Sequence, residues 1–333
     1  RMPAFYVVQQ GAKLRVENRR LLVVLDEQTL ASVPLVHVSQ VVLFGNIGLT
    51  TPAISALLNE NKEVIFLTQN GDFRGRLVGE ITPHVPLRRA QYRCLDDPQF
   101  NLALAGAFVA AKLEHFHAFL QRHNQEKRDA DIRAACDQLH ISLDAISHKT
   151  ERSALRGLEG AATRAYFGGY RRLFDPAWRF QSRNRRPPKD PVNVLLSFGY
   201  TLLVQDCHSA IQAVGLDPFA GFLHEYSYNR PSLALDMAEE FRAVVDGLVL
   251  WCCNSGTITL ADFSPGPPER PVVLSDDGVR RFLSAYEKRL DRRHLHPFSG
   301  LQFPLRQCLL EQARQIAERL RSATPTYRGM GFR

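Results

Sequence analysis

The chain is organised around residues 221–242, which read GFLHEYSYNRPSLALDMAEEFR. Ser232 follows Pro231 and has the short hydroxyl side chain typical of an N-cap, so the sequence predicts a helix from about Leu233. Apolar side chains at helical spacing continue beyond this stretch and predict one buried helix face. The residues of that face are Leu233, Met237, Phe241, Val244 and Leu248.

Polar side chains interrupt the same helix along one stripe. Asp236 and Glu239 are three residues apart and therefore share a side, and Arg242 and Asp246 complete the stripe. His224 lies just ahead of the helix. Two acids and a histidine are suitable ligands for a hard divalent cation, whereas acids clustered without a cation would repel each other. A solvated acidic face and a structural histidine are the alternative interpretation.

Glu159 is a third candidate ligand, in the segment LRGLEGAATRAYF at residues 155–167. Helical spacing places Glu159 on the same side as Leu155 and Ala162, which is the apolar side. A buried carboxylate without a partner is costly, so the sequence predicts a cation or a strong hydrogen-bond donor nearby. Arg156 and Arg164 are possible structural partners.

Several blocks of the sequence together resemble one known family. They are the Glu159 segment, DPVN (190–193) with LSFGY (196–200), GLDP (215–218) with GFLH (221–224), and residues 232–242. The chain thereby resembles the CRISPR-associated spacer integrase, the first of the Cas proteins. The order and the intervals of the blocks agree over nearly the whole chain.

The resemblance implies a metal site and an activity. The family's metal ligands are a glutamate, a histidine and a second acid, which correspond to Glu159, His224 and Glu239, with Asp236 as an accessory acid. Such ligands suit Mg²⁺ or Mn²⁺ better than Zn²⁺. The implied reaction is metal-dependent transesterification, in which the 3′-hydroxyl of a captured DNA fragment (the spacer) attacks a CRISPR repeat. Endonuclease cleavage of DNA is the related activity.

Basic residues crowd the segment at residues 171–189, which contains seven basic side chains and one acid. Arg183, Arg185 and Arg186 in this segment are suited to phosphate contacts, which position DNA without reading its sequence. A solvated basic loop is the alternative interpretation.

Two further side chains are candidate DNA contacts. Tyr166 lies two turns beyond Glu159 on the same helix face, where it is either a phosphate contact or a core aromatic. Arg242 lies one turn beyond Glu239, where it either contacts DNA or pairs with that acid.

The sequence predicts an α+β fold, in which a β-rich domain precedes a larger all-α catalytic domain. The predicted boundaries are 1–80 for the β-rich dimerisation domain, 81–97 for a linker, 98–323 for the helical domain and 324–333 for a loose tail. Thr51 is predicted to cap a short helix over residues 53–59, and Gly168-Gly169 are predicted to end the Glu159 helix. Asp190-Pro191 are predicted to begin a long helix that ends at Gly215.

Composition favours a polyanionic partner in a reducing compartment. The 333 residues have a formal net charge of +8 and a calculated pI of about 9.3, and basic proteins favour polyanions. The six cysteines form no CxxC pair, which argues against a zinc ribbon, an iron–sulfur cluster or a disulfide framework. No apolar run reaches the roughly 20 residues of a membrane span. We expect a cytoplasmic protein.

The resemblance also implies an assembly. Family members form homodimers through the β-rich domain, and two such dimers are bridged by a dimer of the small, ferredoxin-like second Cas protein into a heterohexamer. Its substrates are double-stranded DNA, as the incoming fragment and as the repeat. Some relatives are fused to a reverse transcriptase or an iron–sulfur nuclease, and any such fusion is expected before Arg1.

Two rival functions remain open at the level of sequence. The first is a catalytically silent DNA-binding scaffold, in which Glu159 and Glu239 only pair with Arg156, Arg164 or Arg242. The second is a metal-dependent hydrolase of small phosphorylated substrates, which the basic segment and the lack of a phosphate-binding glycine loop disfavour.

Overall fold

The structure is a computed structural model that describes residues 3–80, 84–225, 227–324 and 326–331. Two compact units make up the chain. The first comprises residues 1–81 and Val273–Glu287, and the second comprises residues 82–272 and 288–333. The strands of the first unit and the helices of the second confirm the predicted α+β fold.

Strands dominate the first unit. Its described elements are β1 (Phe5–Val7), β2 (Lys13–Glu17), β3 (Arg20–Leu25), β4 (Gln28–Pro34), β5 (Gln40–Phe44), β6 (Gly48–Leu49), α1 (Thr51–Asn59), β7 (Glu63–Leu67) and β8 (Phe73–Leu77). One sheet has the order β1-β5-β7-β8, in which only β8 is antiparallel to its neighbour. The other has the order β4-β3-β2-β6, with antiparallel hairpins joining β2, β3 and β4.

The strands of both sheets contribute to one apolar core. Leu14 and Leu21 of one sheet, Val41 and Val64 of the other, and Leu57 of α1 are all fully buried there. Burial of such side chains is the main favourable contribution to folding.

Helices form most of the second unit. The remaining helices of the chain are α2 (Val85–Asp96), α3 (Pro98–Lys127), α4 (Ala130–Asp144), α5 (Arg152–Tyr170), α6 (Pro191–Ala213), α7 (Ser232–Asn254), α8 (Asp276–Leu290) and α9 (Leu305–Ser322). The short strands are β9 (Phe263–Pro265), β10 (Val272–Leu274), β11 (Arg293–Leu295) and β12 (Gln302–Pro304). Helix α7 packs against α3 and α6, and α3 also packs against α5, so these four helices hold the candidate site.

The unit boundaries differ from the predicted domain boundaries in two places. The predicted linker contains α2, whose buried Gln91 donates hydrogen bonds to the carbonyls of Asp217 (2.8 Å) and Ala220 (3.0 Å). Helix α2 is therefore part of the helical unit rather than a free connection, while residues 81–83 lie outside the described residues. The segment Val273–Glu287 belongs to the first unit, where Tyr6 donates to Glu287 at 2.6 Å.

Capping residues were predicted correctly at one helix and wrongly at two. Asp190 accepts a hydrogen bond from the Asn193 amide at 2.9 Å and caps α6 as predicted. The cap of α1 is Thr50 rather than Thr51, since the Thr50 hydroxyl accepts from the amide of the third helical residue. Ser232 does not cap α7, because its hydroxyl donates to the Glu225 carbonyl.

Gly168 and Gly169 lie inside α5, so the prediction that they end the helix is wrong. A Cβ atom on Gly169 would lie 2.9 Å from the Cβ of Ala135, where α4 packs against α5. Gly169 therefore allows a close contact between two helices. A glycine with this role cannot be told from a glycine that ends a helix by sequence alone.

Candidate functional site

Asp236 anchors the segment that carries His224. Its carboxylate accepts hydrogen bonds from the backbone amides of Phe222 (2.5 Å), Leu223 (2.9 Å) and His224 (2.9 Å). The same carboxylate lies 2.7 Å from His224 Nδ1. Asp236 is fully buried. Its contacts to the amide and to Nδ1 of His224 fix both the backbone and the ring of that residue.

Gly221 lets this segment approach the start of α7. A Cβ atom at this position would lie 2.5 Å from the Ser232 carbonyl carbon and 2.7 Å from the Leu233 nitrogen. Both are backbone atoms, which cannot move aside as a flexible side chain can. The first amides of α7 are satisfied by the backbone too, since Leu233 and Ala234 donate to the Pro218 carbonyl at 2.9 and 3.3 Å.

Glu239 is a buried acid held between two cations. Arg242 donates two hydrogen bonds to its carboxylate at 2.7 and 2.8 Å, and Lys112 Nζ lies 2.7 Å from Glu239 Oε2. Burial alone would raise the pKa of Glu239, but Arg242 and Lys112 outweigh it and hold that pKa far below its usual range. Glu239 is therefore an anion in this site.

Glu159 reaches the same place from α5. Its carboxylate contacts Lys112 Nζ and accepts a hydrogen bond from Thr163 at 2.8 Å. Neither arginine proposed as its partner makes this contact, since Arg156 pairs with Glu225 at 2.6 Å and Arg164 is exposed.

Lys112 is a charged residue of the site that the sequence did not reveal. It lies on α3 among buried apolar neighbours, and its own side chain is only 3% exposed. A lysine on an otherwise apolar helix face is the one local signal that would have singled it out, because lysine is rarely buried without a partner.

The three predicted metal ligands line the same cavity. His224 Nε2 lies 3.9 Å from Glu239 Oε1, and Glu159 and Glu239 share Lys112. All four side chains line one cavity of about 580 Å³. As the described side chains stand, no three of the histidines, cysteines, aspartates and glutamates are placed to hold a metal ion.

Six arginines also line this cavity. They are Arg164, Arg171, Arg183, Arg185, Arg230 and Arg242. Arg183 hydrogen-bonds Asn193 (2.8 Å) and Ser197 (3.1 Å), and burial lowers its pKa to about 10. Arg185 and Arg186 are exposed. Of the three arginines predicted to bind DNA in the basic segment, Arg183 thus supports the protein interior, while Arg185 and Arg186 are open to solvent.

Tyr166 lies in the core beneath the cavity. It is fully buried, stacks on Phe116 at 3.6 Å between ring centroids, and donates a hydrogen bond to Asp246 at 2.9 Å. Tyr200 donates to the other oxygen of Asp246. Burial raises the pKa of Asp246 to about 6, although the two tyrosines partly oppose the rise. The structure therefore favours the core alternative for Tyr166 over a phosphate contact.

Arg242 is also committed to neighbours. Besides its two hydrogen bonds to Glu239, its guanidinium lies 4.5 Å from the centroid of the Tyr200 ring. Burial would lower the pKa of Arg242, but Glu239 outweighs it and raises that pKa. Arg242 thus fixes Glu239, the second alternative that the sequence left open.

A second buried acid, Glu240, holds the chain end. Its carboxylate accepts hydrogen bonds from Tyr327, from Gln312 (2.7 Å) and from the Met330 amide (2.9 Å). Burial raises the pKa of Glu240 to about 7, against the effect of these three donors. The described residues 326–331 are therefore docked on α7, and the prediction of a loose tail is wrong for them.

The Glu240 cluster predicts a pH dependence of stability. Because its pKa is raised from 4.5 to about 7, the folded state binds more protons than the unfolded state between these pH values. This contribution to stability is complete below pH 4.5 and is lost as the pH rises to about 7, by up to about 1.4 kcal/mol per pH unit. Glu240→Gln cannot ionise, so unfolding measured from pH 5 to 8 should show wild type losing stability relative to this variant. If the stabilities of wild type and Glu240→Gln change in parallel over this pH range, the raised pKa of Glu240 is contradicted.

Buried acids, a fixed histidine and a cavity lined by arginines define a site suited to a phosphate-bearing polyanion. Comparison with known proteins specifies the family. Residues 5–288 match the family described as CRISPR associated protein Cas1. The chain belongs to this family.

Individual relatives agree with this assignment. The chain is 35% identical to a CRISPR-associated endonuclease Cas1 of Thermus thermophilus, over 98% of this chain and 95% of the relative. A solved casposase bound to its integration product has a TM-score of 0.86 at 23% identity, over 98% of this chain and 93% of that chain, which shows the fold. A chain of a Cas6-RT-Cas1–Cas2 complex has a TM-score of 0.85 at 25% identity, covering 99% of this chain and 36% of that chain.

Proposed function

We propose that this protein is a divalent-metal-dependent DNA endonuclease and integrase, which inserts captured DNA fragments into a CRISPR repeat array. The observation that supports the proposal is the convergence of Glu159, His224 and Glu239 on one cavity lined by arginines. Family membership and the endonuclease name of the Thermus thermophilus relative support the reaction class.

The donor set fits Mg²⁺ or Mn²⁺. Glu159 and Glu239 both contact a single ammonium group, so their carboxylate oxygens already converge on one cationic position. His224 keeps Nε2 toward Glu239 because Nδ1 is bound to Asp236. Two carboxylates and an imidazole, with water in the remaining positions, match the preferences of these ions. Glu159, His224 and Glu239 would hold the ion, which when bound supplies Lewis-acid polarisation of a phosphodiester oxygen.

The protein's own residues would provide orientation and phosphate binding. Asp236 holds the His224 ring in one tautomer and orientation, which is a common role of a carboxylate behind a metal-ligating histidine. Arg242 holds the Glu239 carboxylate in place by two hydrogen bonds. Arginines at the cavity rim would contact DNA phosphates, and the attacking group would be the 3′-hydroxyl of the DNA fragment.

Double-stranded DNA, a second copy of the chain and the small second Cas protein are the proposed partners. The likeness to the Cas1 part of a Cas6-RT-Cas1–Cas2 complex supports the last of these. None of the helices in the described part of the chain is both long and apolar enough to cross a membrane.

A silent scaffold is the second candidate function, and the ion pairs favour it specifically. Glu239 is fully paired with Arg242 and Lys112, so the acids have a structural role without any metal. A strand-transfer assay with the second Cas protein, a repeat-bearing plasmid and Mn²⁺ or Mg²⁺ separates the two functions. Integration products that vanish with chelator support the integrase. DNA binding without any metal-dependent cutting or joining would support the scaffold function instead.

Arg185 and Arg186 are expected to provide sequence-independent DNA affinity. Replacing both by alanine should reduce the slope of log affinity against log salt by about 0.7 to 0.9 for each phosphate that is no longer bound. Binding should be measured across a salt series, with the exposed Arg133→Ala as the matched control. Arg183→Ala is expected to reduce stability as well, because Arg183 hydrogen-bonds Asn193 and Ser197. A slope unchanged in the double variant would show that these two arginines form a solvated loop.

A further inference from the structure

Lys112 occupies the position between the two acids that are proposed to hold the metal. Its ammonium contacts Glu159 and lies 2.7 Å from Glu239 Oε2. The side chain is 3% exposed, and Nζ also lies 5.3 Å from the centroid of the Phe116 ring. This lysine therefore meets both acids at once, deep in the wall of the cavity.

Charge counting shows why this position matters. Glu159 and Glu239 carry two negative charges, and Lys112 and Arg242 carry two positive charges, so the four groups are balanced. A divalent cation added to this set would be repelled by Lys112 at close range. If Lys112 leaves and one DNA phosphate enters, the three remaining side chains, the phosphate and the metal are balanced again.

Of the two cations, Lys112 is the one suited to leave. Arg242 is held by two hydrogen bonds to Glu239 and by the Tyr200 ring 4.5 Å away. Lys112 carries a single charged atom on a flexible four-carbon chain, which can turn without breaking a planar hydrogen-bond pair. The adjoining cavity of about 580 Å³ offers it space.

We propose that Lys112 is an internal counter-ion, which holds Glu159 and Glu239 together without metal and is displaced into the cavity when a divalent cation binds. The inference rests on the proposed metal-dependent function. Displacement places the ammonium in the cavity proposed to receive DNA phosphates, so metal binding and substrate binding would favour each other. Lys112 is a positioning residue in this scheme, acting through the two acids.

Binding of Mn²⁺ without DNA tests the proposal on the full chain. Lys112→Met removes the competing charge and keeps much of the side-chain volume, so calorimetry should show Mn²⁺ binding at least about tenfold tighter, the equivalent of about 1.4 kcal/mol. The same variant should melt below wild type in chelator and should gain more in melting temperature from Mn²⁺. Lys127→Met, an exposed lysine on the same helix, is the matched control and should leave Mn²⁺ affinity unchanged.

Amine labelling of the wild-type protein gives a test that does not depend on the variant folding. Lys112 should react slowly with an acylating reagent in chelator and several-fold faster with Mn²⁺, as read by mass spectrometry, while Lys127 labelling stays constant. Equal or weaker Mn²⁺ binding by folded Lys112→Met, or labelling that does not rise with Mn²⁺, would overturn the proposed counter-ion role of Lys112. Either result would leave the proposed metal site itself intact. Absence of Mn²⁺ binding by both wild type and variant would overturn the proposed metal-dependent function together with the counter-ion role.

Discussion

Glu159→Gln is expected to reduce metal-dependent strand transfer by more than about 100-fold, because it removes a proposed metal ligand rather than a supporting group. The protein should still fold. Lys112 retains its contact with Glu239, and the Glu159 side chain is 23% exposed, so the loss of stability in chelator should be on the order of 1 kcal/mol. The measurements are strand transfer, chemical unfolding with chelator and unfolding with excess Mn²⁺.

Glu126→Gln on α3 is the matched control for this experiment. Glu126 is exposed and does not line the cavity, so this variant removes one negative charge at a position outside the site. It should retain full activity. If Glu159→Gln instead loses several kcal/mol in chelator and keeps its strand transfer, Glu159 is a structural acid and the metal assignment fails. His224→Ala should reproduce the loss of activity, because it removes the imidazole and leaves the acids in place.

Asp236→Ala is expected to damage stability and activity together. It removes one acceptor that serves the amides of Phe222, Leu223 and His224 in a fully buried position. Unsatisfied buried amides should reduce stability by on the order of 3 kcal/mol. Because His224 Nδ1 would no longer be held, activity should fall at least about tenfold even where the variant is folded.

Asp236→Asn separates the two effects. It keeps one oxygen for the amides, so it should be more stable than the alanine variant, while its contact to the His224 ring depends on which group of the amide faces Nδ1. Nitrogen NMR of His224 reports the tautomer directly. An unchanged tautomer and full activity in folded Asp236→Asn or Asp236→Ala would show that Asp236 serves the backbone alone.

The sequence predicts the fold of this chain well where local chemistry decides the structure. Asp190 begins α6 because its side chain satisfies a free amide. Gly215 ends it with a φ of +89°, where glycine is favoured. Ser232 shows the limit of such local rules. Its hydroxyl binds the Glu225 carbonyl, and the Pro218 carbonyl satisfies the helix start, so a tertiary contact replaced the expected cap.

In the candidate site, too, local sequence predicts some features and tertiary packing decides others. Helical spacing predicted that Asp236 and Glu239 share one side of the helix, while the family resemblance was needed to join His224 and Glu159 to them. Lys112 escaped prediction because it is 47 residues from Glu159, and only the packing of α3 against α5 and α7 brings them together. Arg156 was the nearer candidate along the chain, but it pairs with Glu225 instead.

Glu239 and Glu240 are consecutive residues of α7, and they serve different neighbours. Glu239 faces the cavity, while Glu240 binds Tyr327 and the Met330 amide near the chain end. A deletion of residues 326–331 would therefore remove two of the three donors of a buried carboxylate, one residue from the proposed metal ligand. Inactivity of such a shortened protein would report a disturbed helix, so it should not be taken as a sign that the deleted residues touch DNA or a partner.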